Sequence, residues 1–300
     1  MGIEVVRDEA TGRKYTLDAP TEVPAGGVTF LLNLHGGGSV GAWQREYFPA
    51  YDLVDDFGLV IATPSAATKE PFRMWVAEAD DDHLRNIVEA VFARYGVDRI
   101  RAFWLVGHSQ GGMTSNRLLR TPYFADRVDG WLSLSGGRLG PAQPVENFGP
   151  PPPPGQERPA RPEGMTRLRQ LFAELPEADF SFMYTTGEHE IAALPETSPW
   201  ADRYGAGSRQ RLDDVVDTEP GRIHDTLREG RSNKGWGLLP RPGTAEVYVY
   251  PGGRDGRVIA DVVRLDKGHT EGLEPNVTRK LVELLVAEPG GKAKRVAAAV

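Results

Sequence analysis

Gly107-His108-Ser109-Gln110-Gly111-Gly112 follows an unbroken apolar run from Ala102 to Val106. The five residues Ala102-Phe103-Trp104-Leu105-Val106 read as a fully buried strand, and Met113, Leu118 and Leu119 suit a helix beyond it. Glycines on both sides of a serine let the backbone turn sharply between the two, holding the serine side chain outward on a strained turn. The chain contains 35 glycines, so the hexapeptide alone is also compatible with an ordinary glycine turn. Its flanking strand and a search for partner side chains have to separate the two readings.

Outward from this stretch, strands and helices alternate. Residues 3–7 and 13–18 read as a hairpin about Glu9-Ala10-Thr11-Gly12, and Val28 to Leu34 as a strand running into His35-Gly36-Gly37-Gly38. Gly58 to Thr63 gives a further strand, ended by Pro64. Leu84, Ile87, Val88, Val91, Phe92 and Tyr95 then recur at helical spacing and stop at Gly96. Strands are expected again at 131–135 and 180–184, and a hairpin at 246–250 and 257–265. Val277, Leu281, Leu284 and Leu285 form the stripe of a closing helix. Such alternation implies a mainly parallel sheet.

Residues 138–162 interrupt the rhythm with five consecutive prolines, Pro150 to Pro154, followed by Pro159 and Pro162. A segment of this kind cannot be a core helix or a central strand. It is either a surface spacer or, lying between sheet strands near their C-terminal ends, a lid or pocket wall. Residues 196–243 carry no clear period, and 291–300 read as a short frayed tail.

With a net charge of −7 there is no basic footprint for nucleic acid and no general attraction to anionic membranes. The absence of cysteine removes disulfides and thiolate nucleophiles. No run approaches the ~20 apolar residues of a membrane span. The first ten residues are too charged for a secretory signal, so a cytoplasmic location is expected, with a mature secreted form left open. One domain over 1–300 accounts for the length, and oligomeric state is not visible.

Gly36, Gly38 and Gly41 fit a dinucleotide-binding spacing. However, the second strand ends in Thr63-Pro64 without the acidic residue that would hold a ribose. Neither glycine loop carries the lysine of a phosphate-binding loop, since Ala42 and Met113 stand where it would be. The remaining use of such a loop is to aim backbone N–H groups at a developing oxyanion. Gly37 then supplies one donor, with Gly38 beside it, and Gln110, following the serine, supplies the other.

A serine nucleophile needs a base, and there are six histidines: His35, His83, His108, His189, His224 and His269. His269 follows the last strand, preceded by Gly268, where it could reach across the strand ends to Ser109. His35 and His108 are expected to brace the loops they sit in. A carboxylate must orient the base, and Gly187-Glu188-His189-Glu190 lies after a strand and between serine and histidine in the chain. Pattern alone does not separate Glu188 from Glu190. The quartet lacks a second histidine at i+4 and is not expected to hold a metal.

The order serine, acid, histidine is that of α/β-hydrolases. Over roughly residues 25–285 the chain resembles, within that group, the esterases that include polyhydroxybutyrate depolymerases and feruloyl esterases. The resemblance is carried by LHGGG at 34–38, VDRIRAFWLVGHSQGG at 97–112, GEHE at 187–190 and KGHTEG at 267–272. It implies an α/β-hydrolase fold: a mainly parallel central sheet flanked by helices, with the proline-rich loop inserted after the sixth strand. In that family the acid often lies in a G-x-x-D turn, which points to Glu190, with glutamate in place of aspartate as a departure. The implied activity is hydrolysis of a small-molecule carboxylic ester through an acyl-enzyme, with Ser109 as nucleophile, His269 as base and Glu190 as its orienting acid. Gly37 and Gln110 are the oxyanion donors, and Gly38 and Trp43 are candidate substrate-facing residues. No metal or organic cofactor is required. Acyl transfer, or thioester or amide cleavage, would use the same groups, and a non-catalytic binding protein on this fold is the rival from another class.

Overall fold

The computed structural model describes residues 2–70, 72–140, 143–144, 155, 174–225, 234–237 and 239–298. Strands are numbered in chain order. They are β1 (Gly2–Arg7), β2 (Lys14–Ala19), β3 (Val28–Leu34), β4 (Leu59–Pro64), β5 (Ile100–His108), β6 (Gly130–Leu134) and β7 (Gln143–Pro144). After these come β8 (Ser181–Gly187), β9 (Ile191–Ala193), β10 (Gln210–Arg211), β11 (Val215–Val216), β12 (Thr244–Val249) and β13 (Ile259–Arg264).

Eleven strands form one sheet in the order β1-β2-β4-β3-β5-β6-β8-β13-β12-β10, with β11 also on β12. The middle six, β4 to β13 in that order, are mutually parallel. The antiparallel pairs β1/β2 and β2/β4 close one side and β12 with its neighbours the other. Strands buried on both faces are apolar at nearly every position, and this is why Ala102 to Val106 and Phe30 to Leu32 have no polar alternation. Side chains of β5 still divide by period two. Phe103 and Leu105 join one core layer, while Ala102, Trp104 and Val106 join the other.

The first layer is covered by the helix Ala77–Tyr95, through Leu84, Ile87, Val88, Val91 and Phe92. Near its start, Asp80 accepts from the N–H of Val76 at 2.8 Å and of Ala67 at 2.9 Å. The second layer is covered by the helices Gly41–Tyr47 and Pro275–Val286.

The tail expected to fray from residue 291 is instead helical over Lys292–Ala298. Gly290 and Gly291 both take positive φ, turning the chain back on the sheet. Gly291 then donates to the Arg101 carbonyl at 3.0 Å, Lys292 N–H to Asp129 at 3.0 Å, and Ala293 enters the core. Within 138–162, the five prolines lie outside the described residues, and so does the expectation of a lid. The described pair Gln143–Pro144 forms β7, which runs antiparallel to β9. Among the described residues no helix is long and apolar enough to cross a membrane.

Because the six central strands are parallel, their C-terminal ends lie on one edge. The chain leaves β3 toward β4 on one side and returns to β5 on the other, which opens a crevice at that edge. His35–Gly38, Ser109, Ser135, Glu188–Glu190 and Asp266–His269 all follow these ends directly.

Candidate active site

Ser109 takes φ 52 and ψ −118, a left-handed conformation that costs a non-glycine residue roughly 1–3 kcal/mol. Its surroundings enforce it. Its N–H donates to the Leu134 carbonyl at 2.9 Å, while its carbonyl accepts from Gly112 and Met113 and so starts the helix Gln110–Leu118. The turn fits only because side chains are missing where the backbones meet. A Cβ on Gly107 would strike Gly111, and one on Gly111 would strike the Leu34 carbonyl.

The Ser109 hydroxyl lies 2.8 Å from His269 Nε2, and His269 Nδ1 lies 2.8 Å from Glu190 Oε2. With Nδ1–H donating to the carboxylate, Nε2 is left as an acceptor for the serine proton. Three residues from three separate strand ends are thereby joined in series. The structure also separates the two glutamates. Glu190 is buried beside His269, whereas Glu188 turns to the surface and accepts from the Asp266 N–H at 2.7 Å. His189 likewise meets Asp266, at 2.7 Å.

The second carboxylate oxygen of Glu190 is occupied by two donors, Gly187 N–H at 2.8 Å and the Ser135 hydroxyl at 2.7 Å. Ser135, at the end of β6, is itself in a left-handed conformation with φ 51. Sequence reasoning missed it. The available signal was a second serine followed by glycines, Ser135-Gly136-Gly137, again after a buried strand.

The base loop is held from behind. The His269 carbonyl accepts from Tyr47 Oη at 3.2 Å and from His108 Nε2 at 2.9 Å, and those two rings lie 4.1 Å apart, tilted by 37°. Burial pushes the pKa of His108 well below the ordinary histidine range, with the adjacent His269 acting in the same direction. It therefore stays neutral and serves as a donor through Nε2. Burial similarly raises the Tyr47 phenol, which keeps its proton. Trp43 stacks on Tyr47 at 5.0 Å and lies 5.6 Å from His108, which makes it a prop of this aromatic row. On the other side, Trp236, also missed from sequence, lies 5.2 Å from His269.

The glycine loop faces Ser109 from β3. Its Gly36 packs against His108 and Ser109 so closely that a Cβ would meet the His108 ring. The N–H of Gly38 is committed to the Arg73 carbonyl at 2.7 Å, which removes it as an anion donor. The N–H groups of Gly37 and Gln110 take no acceptor among the described residues. His35 braces the loop. Its Nδ1–H donates to the Gly36 carbonyl at 2.7 Å and Nε2 accepts from Ala66 N–H at 3.0 Å. Burial lowers its pKa to about 4, against which the Gly36 bond acts only partly. Trp75, a further unforeseen contributor, donates its indole N–H to the His35 carbonyl at 2.8 Å and its backbone N–H to Gln110 Oε1 at 3.2 Å.

No protein-family model matches the chain, and no curated protein sequence matches it. Among solved structures, an acetyl xylan esterase from Aspergillus awamori is similar over 95% of this chain and 100% of its own, with a TM-score of 0.52 at 12% identity. The Thermus thermophilus protein TT1662 aligns over 96% of this chain and 99% of its own, with a TM-score of 0.45 at 17% identity. A thermophilic esterase from Thermogutta terrifontis aligns over 62% of this chain and 72% of its own, with a TM-score of 0.37 at 14% identity. Together with the strand order, the end-to-end likeness to the first shows an α/β-hydrolase fold.

Proposed function

We propose that this chain is a serine hydrolase that cleaves small-molecule carboxylic esters through an acyl-enzyme. The observation that carries the reading is the series Ser109 Oγ, His269 and Glu190, joined at 2.8 Å and 2.8 Å, with the serine on a strained turn at the strand edge. His269 Nε2 takes the Ser109 proton as Oγ attacks the ester carbonyl carbon, and the carbonyl oxygen becomes an anion facing the N–H groups of Gly37 and Gln110. When the tetrahedral adduct collapses, His269 returns that proton to the departing alcohol oxygen and Ser109 is left acylated. A water molecule, deprotonated by His269, then releases the acid and restores the serine. Glu190 holds the imidazole in the required tautomer and stabilises its cation. Within this reading, a likeness to polyhydroxybutyrate depolymerases and feruloyl esterases is supported by the motifs at 34–38, 97–112, 187–190 and 267–272.

The test is hydrolysis of an ester panel of graded acyl length by the native chain and by Ser109→Ala, with competing alcohols and amines in the medium. Acid release that depends on Ser109 is the expected result. Product found chiefly as a new ester or amide would instead identify an acyltransferase. Full activity in Ser109→Ala would end the proposal.

A further inference from the structure

Resting on that reading, we infer that His189 and Asp266 are positioning residues: together they clamp the turn that carries Glu190 to the loop that carries His269, and turnover depends on the clamp. The acid turn leaves β8 and the base loop leaves the neighbouring β13, and the ladder between these strands ends at the pair Gly187 and Arg264. Past that pair the register has to be held by other contacts. The demand is strict, since misplacing a catalytic group by about 1 Å can cost roughly 10² in rate.

Bonds between the two segments meet it. The Asp266 N–H donates to Glu188 Oε2 at 2.7 Å, the His189 N–H donates to the Lys267 carbonyl at 3.1 Å, and His189 Nε2 lies 2.7 Å from Asp266 Oδ1. An ionised carboxylate only accepts, so Nε2 carries the proton of that last bond. The backbones themselves touch, because a Cβ on Gly187 would lie 2.4 Å from the Lys267 carbonyl oxygen. These contacts run beside the Glu190–His269 bond, with His189 next to Glu190 in the chain and Asp266 at the start of the base loop.

Asp266 also reaches a third segment. Arg241 lies 3.0 Å from its Oδ2 and donates to its carbonyl, and Lys234 lies 3.4 Å from Oδ1. Lys234 adjoins Gly235, whose carbonyl accepts from His269 N–H at 3.0 Å, so the same carboxylate steadies the base from both sides. The His189 hydrogen bond, with Arg241 and Lys234 acting in the same direction, holds the Asp266 carboxyl well below the usual carboxylate range. Asp266 does this from a left-handed backbone, φ 53, that glycine adopts freely and asparagine tolerates. A strained aspartate where glycine would fit points to a use for its side chain.

The test is steady-state hydrolysis of phenyl acetate, with active sites counted by an organophosphonate probe, in His189→Ala, Asp266→Gly, Asp266→Asn and the double variant His189→Ala with Asp266→Gly. Glycine suits the backbone at 266 and removes only the carboxylate, so a loss there is not a loss of fold. His189→Ala and Asp266→Gly should each lower kcat about tenfold with KM within about twofold of native, and the double variant should fall no further than the worse single. Asp266→Asn keeps an oxygen for His189 and should recover kcat to within about threefold of native. The low-field proton NMR line of the His269–Glu190 hydrogen bond should broaden in the first two variants and return in Asp266→Asn, a readout that global stability alone does not move. Native kcat in both single variants, a rise in KM alone, additive losses in the double variant, or a loss in Asp266→Asn as deep as in Asp266→Gly would each overturn the inference. Ser109→Ala is the control. If it cleaves phenyl acetate as fast as the native chain, or neither cleaves it, the hydrolase reading has failed and takes this inference with it; Ser109-dependent cleavage that ignores the clamp substitutions overturns this inference alone.

Discussion

Glutamate carries one more methylene and one more rotatable bond than aspartate, so a glutamate acid needs more to hold it still. At Glu190 the holding is done by two donors on Oε1, Ser135 and Gly187, which leave Oε2 to His269. In the proposed mechanism, Glu190→Gln should lower kcat by roughly 10³–10⁴, because the wrong tautomer of His269 is then favoured. Glu188→Gln, which alters only a surface contact, should change it by less than about fivefold. Equal losses in the two variants would contradict the assignment. Ser135→Ala removes one hydrogen bond to a charged group and should lower kcat about tenfold with KM nearly unchanged. A rise in KM alone would mean that Ser135 meets substrate rather than the acid.

At the scale of elements, the C-terminal helix Lys292–Ala298 is fastened to the starts of β5 and β6. Lys292 N–H occupies one oxygen of the buried Asp129, Phe103 N–H occupies the other, and Lys292 Nζ donates to the Ala125 carbonyl at 2.7 Å. Ending the chain at Pro289 should therefore cost about 2 kcal/mol or more, since a buried carboxylate loses a donor and core apolar surface is exposed. The corresponding fall in Tm is about 3 °C or more, and an unchanged Tm would show the helix to be dispensable. This element was not legible because Pro289-Gly290 reads as a stop and Lys292-Ala293-Lys294-Arg295 as solvated chain. Its anchorage depends on a carboxylate far away in sequence and on two glycines whose positive φ reverses the chain. The central strands were legible for the opposite reason. Burial on both faces imposes an apolar run locally, and the close approaches at strand ends impose glycine locally.

Across the whole molecule, the same distinction governs the site. Ser109, His269 and Glu190 each stand at a strand end, and strand ends can be read from their own neighbourhoods. Tyr47, Ser135 and Trp236 are brought in by tertiary contact, Tyr47 from 222 residues before the carbonyl it binds. Buried neutral histidines give the molecule a pH dependence with a definite sign. His35 titrates at about 4 when folded against an ordinary 6.5. Between these values the unfolded chain binds the extra proton, so this contribution is intact above pH ~6.5 and is lost as the pH falls toward ~4. Its full size is on the order of 3 kcal/mol. Denaturant unfolding should accordingly show the stability gap between the native chain and His35→Gln narrowing over that interval, and a constant gap would contradict a neutral His35. The central claim is that Ser109 is a nucleophile activated by His269. The most direct measurement is peptide mapping by mass spectrometry after treatment with an organophosphonate probe. One stoichiometric adduct on Ser109, abolished in Ser109→Ala and strongly slowed in His269→Ala, is the expected result. Ester hydrolysis that persists while Ser109 stays unlabelled would contradict it.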